Sequence, residues 1–264
     1  MKINIPLTLA VFFLLPFSVS AFDHKHTTFT SLLEKHVIMT KNGQESRVNY
    51  SALKKDYETL KKYLSSLSSV TQREFHSWPE EKRLSFLINT YNAFTIDLIL
   101  KHYPVTSIQK TGSLMRNPWK IKFINLYGKT ISLDDLEHGL VRQKGVYDEP
   151  RIHFALVCAS IGCPALQNKA FTYDQLEVML EKGLVNFLSD KTRNRYNSEK
   201  KSFEVSKIFK WFGGDFEKKY GSVINLLNTH SKYLVKDEKA LPSAEETNNI
   251  KFLNYDWNLN DIKK

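Results

Sequence analysis

The stretch from Glu80 to His102, EEKRLSFLINTYNAFTIDLILKH, decides the fold. Pro79 precedes it and Tyr103-Pro104 closes it, so the spacing predicts one long helix between two prolines. Winding it at 100° per residue spreads Leu84, Phe86, Leu87, Ile88, Tyr91, Phe94, Ile96, Leu98, Ile99 and Leu100 around most of the circumference. A helix apolar on most sides is buried, so it belongs at the centre of the domain. Two polar stripes interrupt it. Thr90, Asp97 and Lys101 form one, read as the solvent edge; Ser85, Asn89 and Asn92 form the other, flanked by apolar residues. Buried amides need hydrogen-bond partners, so this second stripe faces either a functional site or a backbone that it braces.

Outward from this helix, shorter elements follow. A first short helix is expected around Phe29 to Met39, ending at the turn Lys41-Asn42-Gly43. A second runs from a Ser51 cap through Leu64, where Leu53, Tyr57, Leu60 and Leu64 recur at helical spacing and a Ser-rich stretch stops it. Phe123 to Ser132 reads as a hairpin turning near Tyr127-Gly128-Lys129, after which Ser132 caps a helix carrying Glu137 and His138. Residues 149–159 fit a strand or a helix, and Asp148 with Pro150 tips the reading to helix. Thr172 to Gln175 has the form of a capping box opening a helix to about Leu188. A second hairpin turns at Asn197-Ser198-Glu199, an aromatic turn follows at Trp211 to Asp215, then a helix near 216–231, and a last strand lies in 250–260. The fold class is therefore α+β: a helix-dominated single domain with a small antiparallel sheet and a buried central helix.

The chain has 264 residues, 42% of them hydrophobic, with 10 Gly, 8 Pro and 2 Cys. This composition excludes disorder, collagen-like repeats and a disulfide-scaffold miniprotein. Residues 1–21 read as a signal peptide: Lys2, an apolar run from Ile3 to Phe17, and a cleavage point after Ala21. Residues 22–79 form an N-terminal helical segment that packs with 80–260 as one unit. The mature chain is expected to be periplasmic or secreted and not membrane-spanning. The net charge of +10 is scattered with no dense tract, which reads first as solubility and second as attraction to an anionic cell-envelope surface; export argues against nucleic acid. His24 and His26 read as a solvated tail.

The densest chemistry is Arg151-Ile-His153-Phe-Ala-Leu-Val-Cys158-Ala-Ser160-Ile-Gly162-Cys163-Pro164, which holds both cysteines. Three readings compete. A Cys158–Cys163 disulfide is permitted by export and by a loop containing Gly162. A thiol nucleophile at Cys163 or Cys158 would use His138 or His153 as base, with Glu137 or Asp256 as orienting carboxylate. A metal site would draw on His138, His153, Cys158 and Cys163, but neither pair has a recognised zinc spacing, so no metal is expected. There is no phosphate loop, dinucleotide fingerprint, His-Glu-x-x-His or Gly-x-Ser-x-Gly, and no cofactor is expected.

Five ordered elements carry a family likeness: Phe86-Leu-Ile-Asn89-x-Tyr91-Asn92-Ala93-Phe94; Ile131-Ser-Leu-Asp-Asp-Leu-Glu137-His138-Gly; Pro150-Arg151-Ile-His153-Phe-Ala-Leu-x-Cys158-Ala-Ser160-x-x-Cys163-Pro164; Ser206-x-Ile-Phe-x-Trp211-Phe; and Tyr255-Asp256-Trp257-x-Leu259-Asn260. In this order they resemble the DUF547 family, a domain of unknown function, over roughly Glu80 to Asn260. The resemblance implies a secreted bacterial member with one copy of the domain and supplies no activity.

Two functions are carried forward. The first is a cysteine-dependent hydrolase or acyl transferase on a peptide-like or cell-envelope substrate. Cys163 or Cys158 is the nucleophile, His138 the base, and Asn89 or Asn92 orients the base or stabilises an oxyanion. The second is a non-catalytic binding module in which the cysteines are bridged and a groove with Arg151 and His153 takes an anionic or peptide ligand.

Overall fold

The computed structural model describes residues 21–112, 117–235, 241 and 249–262. The apolar segment at residues 1–20 lies outside them. Nine α-helices occur among the described residues: α1 (Thr27–His36), α2 (Tyr50–Leu53), α3 (Tyr57–Ser69), α4 (Gln72–Ser77), α5 (Glu80–His102), α6 (Leu176–Ser189), α7 (Ile208–Trp211), α8 (Gly213–Tyr220) and α9 (Val223–Thr229). Seven short strands accompany them: β1 (Val37–Thr40), β2 (Glu45–Val48), β3 (Ile124–Leu126), β4 (Lys129–Ile131), β5 (Arg195–Asn197), β6 (Ser202–Val205) and β7 (Asn249–Phe252). The class is α+β and helix-dominated, as the sequence implies.

Helix α5 is the axis of the molecule. Every residue from Leu84 to Leu100 is buried, while Glu80 and Glu81 open the helix and Lys101 and His102 close it, as the helix dipole favours. The stripe read as the solvent edge is buried too, apart from Lys101. Thr90 turns its hydroxyl back onto the Phe86 carbonyl at 2.7 Å, and Asp97 accepts from the Tyr57 hydroxyl at 2.6 Å and pairs with Lys101 at 2.7 Å. Local bonds supplied by α3 and by the helix itself let polar groups stand where the periodicity placed solvent.

The leading helix stops at His36, three residues short of Met39, because Val37–Thr40 leaves it to pair antiparallel with Glu45–Val48 across the Lys41-Asn42-Gly43 turn. Asn49, not Ser51, caps the next helix by accepting from the Ala52 amide at 3.0 Å; a tight turn at Lys54–Asp56 divides that helix, and α3 continues through the Ser-rich stretch to Ser69. His24 and His26 are not a solvated tail. They pack among Phe22, Trp78 and Tyr63, and His26 is 1% exposed.

Three separate sheets replace the single one expected. β1–β2 and β3–β4 are isolated antiparallel hairpins; β5–β6 is antiparallel, and the terminal strand β7 joins β6 in parallel, Phe203 facing Ile250. Two apolar cores result. The larger surrounds α5 with α1, α3 and the 152–171 segment; the smaller joins Phe154, the end of α6, β6 and α7–α9. Tyr255 packs against both.

Candidate functional site

A cleft of about 400 Å³ opens where these two cores meet. Tyr91 of α5 and Trp119, on a short turn at Pro118–Lys120, line one side; the disulfide and Pro164 line another; Trp211, Tyr255 and Trp257 form an aromatic wall. These rings lean on one another, with Tyr255 and Trp257 centroids 4.5 Å apart and Trp211 5.7 Å from Trp257. Among the described residues no lysine or arginine lines this cleft, although the chain is strongly basic.

Two carboxylates line the cleft, Asp134 and Glu137, and Glu137 is the buried one. Ser132 starts its helix as expected: its hydroxyl accepts from the Asp135 amide at 3.0 Å, while the Asp135 carboxylate accepts from the Ser132 amide at 2.9 Å. The helix that follows, Asp135–Val141, is a π-helix, its widened pitch visible where the Arg142 amide donates to the Glu137 carbonyl at 2.8 Å. Such helices are rare and recur at functional sites. Here it buries Glu137 and exposes His138. Burial pushes the Glu137 carboxyl above its ordinary range, against the opposing pull of His138, Arg142 and a hydrogen bond with the Tyr91 hydroxyl. Tyr91 is in turn held far above its usual value by its own burial and by the Glu137 charge, and so stays protonated.

His138 does not have the geometry of a free base. The Arg142 guanidinium donates to its Nδ1, so in the neutral ring the proton sits on Nε2, 3.7 Å from Asp134. Asp256, the other orienting carboxylate considered, accepts instead from Asn258 at 2.8 Å and 2.9 Å. His153 is 3% exposed and borders the cleft, but its Nε2–H donates to Asp215 at 2.8 Å and its ring stacks on Phe212 at 3.9 Å. Burial lowers its pKa to about 4, so it is a neutral donor. Asp215 also accepts from Arg142 Nε at 2.7 Å, and the His153 and Arg142 bonds hold its carboxyl far below the usual range despite burial. This triad orients Phe212 and Arg142 behind the cleft.

Arg151 is elsewhere. It is buried in a fork of carboxylates, 2.7 Å from Glu149 and Glu177 and 3.2 Å from Glu181, and does not line the cleft. The anion-binding groove drawn around Arg151 and His153 is thus not present as drawn: both side chains are committed to carboxylates. Asn89 and Asn92 are committed as well. Asn89 donates to the Phe171 carbonyl at 2.7 Å and accepts its amide at 2.9 Å; Asn92 donates to Ala155 O at 2.9 Å and accepts from Val157 N at 2.9 Å. Of the two meanings left open for this stripe, these bonds make it the backbone brace.

The same brace shapes the cysteine segment. Only Pro150–Phe154 is helical, as a tight 3-10 turn, and the chain then turns irregularly, with Ala159 at φ 58°, instead of continuing as the expected helix to 159. Residues 159–162 zip against the C-terminal segment: Asn260 N to Ala159 O at 3.0 Å, Ile161 N to Asn258 O at 2.8 Å, and Gly162 N to Asp256 O at 2.8 Å. A side chain at Gly162 would meet the Asp256 amide nitrogen at 2.9 Å. Cys158 and Cys163 are disulfide-bonded, their α-carbons 6.3 Å apart. The Cys163 sulfur accepts the Cys158 amide at 2.9 Å and the Tyr255 hydroxyl at 3.1 Å. In this bonded state neither sulfur is a thiolate. Among the described residues no group of three His, Cys, Asp or Glu side chains could hold a metal ion.

Tyr91, Trp211, Tyr255 and Trp257 stand inside the family-like motifs, which is the signal that could have placed them in the site. Trp119 and Asn117 carried none, because their approach is made only by the fold. Residues 75–188 match the family described as "Protein of unknown function, DUF547", so the resemblance holds over the central part of the chain. No curated protein and no solved structure matches it. No helix among the described residues is long and apolar enough to cross a membrane.

Proposed function

We propose that this DUF547-bearing chain is an exported enzyme of proton transfer, a hydrolase or acyl transferase acting on a peptide-like or cell-envelope substrate. Its working group is Glu137. The observation that carries the reading is a buried carboxyl at the edge of a roomy aromatic cleft, on a π-helix, where burial disfavours its charged form. In its protonated form, which burial favours, Glu137 gives its proton to the departing atom of the substrate, and Tyr91 steadies the carboxylate that remains. His138, its Nδ1 taken by Arg142, is a second donor at the mouth. Flat or extended groups of the substrate lie on Trp119, Trp211 and Trp257. The bonded cysteines favour Glu137 over a thiolate in this role.

The test is release of soluble fragments from purified cell-wall polymer and from a mixed peptide library, read by mass spectrometry. The wild-type chain should release them and Glu137→Gln should be at least ~100-fold slower, the usual share of a general acid. Glu177→Gln, far from the cleft, should be unchanged. Equal rates for Glu137→Gln and wild type refute the assignment. The non-catalytic binding module is supported by one observation, the exposure of Trp211 at 44% on an otherwise packed aromatic wall. It is distinguished by ligand-dependent tryptophan quenching without product.

A further inference from the structure

We propose that the Cys158–Cys163 bridge is redox-active: it oxidises the dithiol of a peptide or protein segment entering the cleft, with Cys158 the sulfur attacked and Cys163 the sulfur that leaves. This goes beyond proton transfer. It rests on the reading that the cleft admits a peptide-like ligand, not on hydrolysis.

Three independent observations carry it. The bridge lies on the wall of the cleft, not in a core remote from solvent, and its two sulfurs differ: Cys158 is half-buried, while Cys163 is 6% exposed. An incoming thiolate therefore reaches Cys158 first. Next, one donor singles out the other sulfur. The Cys158 amide points to Cys163 Sγ at 2.9 Å, the Tyr255 hydroxyl is within reach at 3.1 Å, and such donors stabilise a departing thiolate. The Tyr255 hydroxyl also stands 3.1 Å from Cys158 Sγ, so it can follow the charge from one sulfur to the other. Finally, the loop does not depend on the bridge for its shape. Residues 159–162 are tied to 256–260 by main-chain bonds, and the Arg193 guanidinium holds the carbonyls of Ile161 and Cys163. A bridge that spans only five positions adds little chain-entropy stabilisation, so opening it leaves the fold in place and the sulfurs near one another.

The exchange balances. A substrate thiolate attacks Cys158 Sγ, the Sγ–Sγ bond breaks, and Cys163 leaves as a thiolate. The second substrate thiolate attacks the substrate sulfur of the mixed disulfide and releases Cys158. The substrate dithiol becomes a disulfide, two electrons pass to the bridge, and the two cysteine thiolates take up the two protons the substrate lost. Glu137, on the same cleft, is a carboxyl able to relay one of them.

The test uses the full oxidised chain with two probes, dithiothreitol and a reduced two-cysteine peptide. Thiols are counted by alkylation and mass spectrometry, with circular dichroism and tryptophan quenching followed in parallel. Both probes should open the bridge without loss of folded signal. Cys163→Ser should accumulate a mixed disulfide on Cys158 with the oxidised peptide at least ~10-fold faster than Cys158→Ser does on Cys163. Tyr255→Phe, a milder change, should slow exchange several-fold at unchanged fold. Peptide-induced quenching with a bridge that stays closed overturns the exchange alone. Opening by dithiothreitol with neither quenching nor opening by the peptide overturns the peptide-binding reading and this proposal with it. Faster reaction at Cys163 than at Cys158 overturns the assigned polarity.

Discussion

Replacing Asn92 by Ala tests the central structural claim, that the buried amide stripe of α5 holds the backbone next to the bridge. The amide is 3% exposed and makes two bonds, to Ala155 O and from Val157 N, each 2.9 Å long. The substitution leaves one buried carbonyl and one buried amide without partners. Each such orphan costs about 1–3 kcal/mol, so the loss is about 2–6 kcal/mol, with about 4 kcal/mol the central value. Against a domain stability of about 5–15 kcal/mol this is large but survivable. With a urea slope near 3 kcal/mol/M, the midpoint should fall by about 1–1.5 M, read by tryptophan fluorescence and far-ultraviolet circular dichroism on the same samples. Ser85→Ala is the matched control: its hydroxyl bonds only the Lys82 carbonyl, 3.2 Å away on its own helix, so the change should be within about 1 kcal/mol. A loss for Asn92→Ala no larger than that of Ser85→Ala would refute the bracing argument. Full stability with abolished ligand binding would return Asn92 to the site.

Acidification should destabilise the chain through its buried histidines. Burial lowers His153 to about 4 and His26 to about 3, whereas both titrate near 6.5 when unfolded. Below pH 6.5 the unfolded chain therefore binds protons that the folded chain refuses, and stability falls with pH down through the folded values. His153 alone accounts for about 3 kcal/mol between pH 7.5 and 4, and urea midpoints that stay level over that range would contradict this. Arg151→Met should cost about 2–3 kcal/mol, the lower part of the range for a broken buried pair because Glu177 and Glu181 face solvent, and should leave peptide quenching in the cleft unchanged. Gly162→Ala forces its new methyl group against the Asp256 main chain, at 2.9 Å and 3.0 Å from its nitrogen and oxygen. A loss of about 1–3 kcal/mol and a melting temperature several degrees lower are expected by calorimetry.

How much of this was legible follows from how local each signal is. Helix α5 could be read because its apolar density and its flanking prolines are properties of one segment. The Asn stripe could be read as needing partners, but the partners, Ala155, Val157 and Phe171, lie 63 to 82 positions away and only the fold names them. The same contact explains the error at 149–159. Asn92 takes the Ala155 carbonyl and the Val157 amide, two groups a continuing helix would have used, so a tertiary bond overrides a period that fitted helix and strand alike. The β1–β2 hairpin was missed although its Asn42-Gly43 turn was noticed, because only Val37 of β1 is fully buried and no alternation marks the strand. The His24 and His26 pair reads as a tail because the rings it packs against, Tyr63 and Trp78 beside the nearby Phe22, are mostly distant in sequence. Glu137, His138, His153, Cys158 and Cys163, singled out by residue type and density, all line the cleft, whereas Arg151, singled out by the same signal, sits among Glu149, Glu177 and Glu181.

The cleft gathers features that each work against stability. A π-helix is poorer in packing and hydrogen-bond geometry than an α-helix of the same residues. A carboxyl kept from water at Glu137 is costly, and His138, Arg142 and the Tyr91 hydroxyl only partly offset this. An exposed Trp211 gives apolar surface back to solvent. Elsewhere the chain follows the opposite rule: Leu84 to Leu100 are wholly buried, Asn89 and Asn92 are saturated, and Arg151 is surrounded by carboxylates. Local rules that are broken together around one cleft point to a place serving something other than folding. At the bridge the Cys158 amide singles out Cys163 Sγ at 2.9 Å, while the Tyr255 hydroxyl stands 3.1 Å from each sulfur, an arrangement that serves a sulfur taking up charge more than a bridge that only holds a loop.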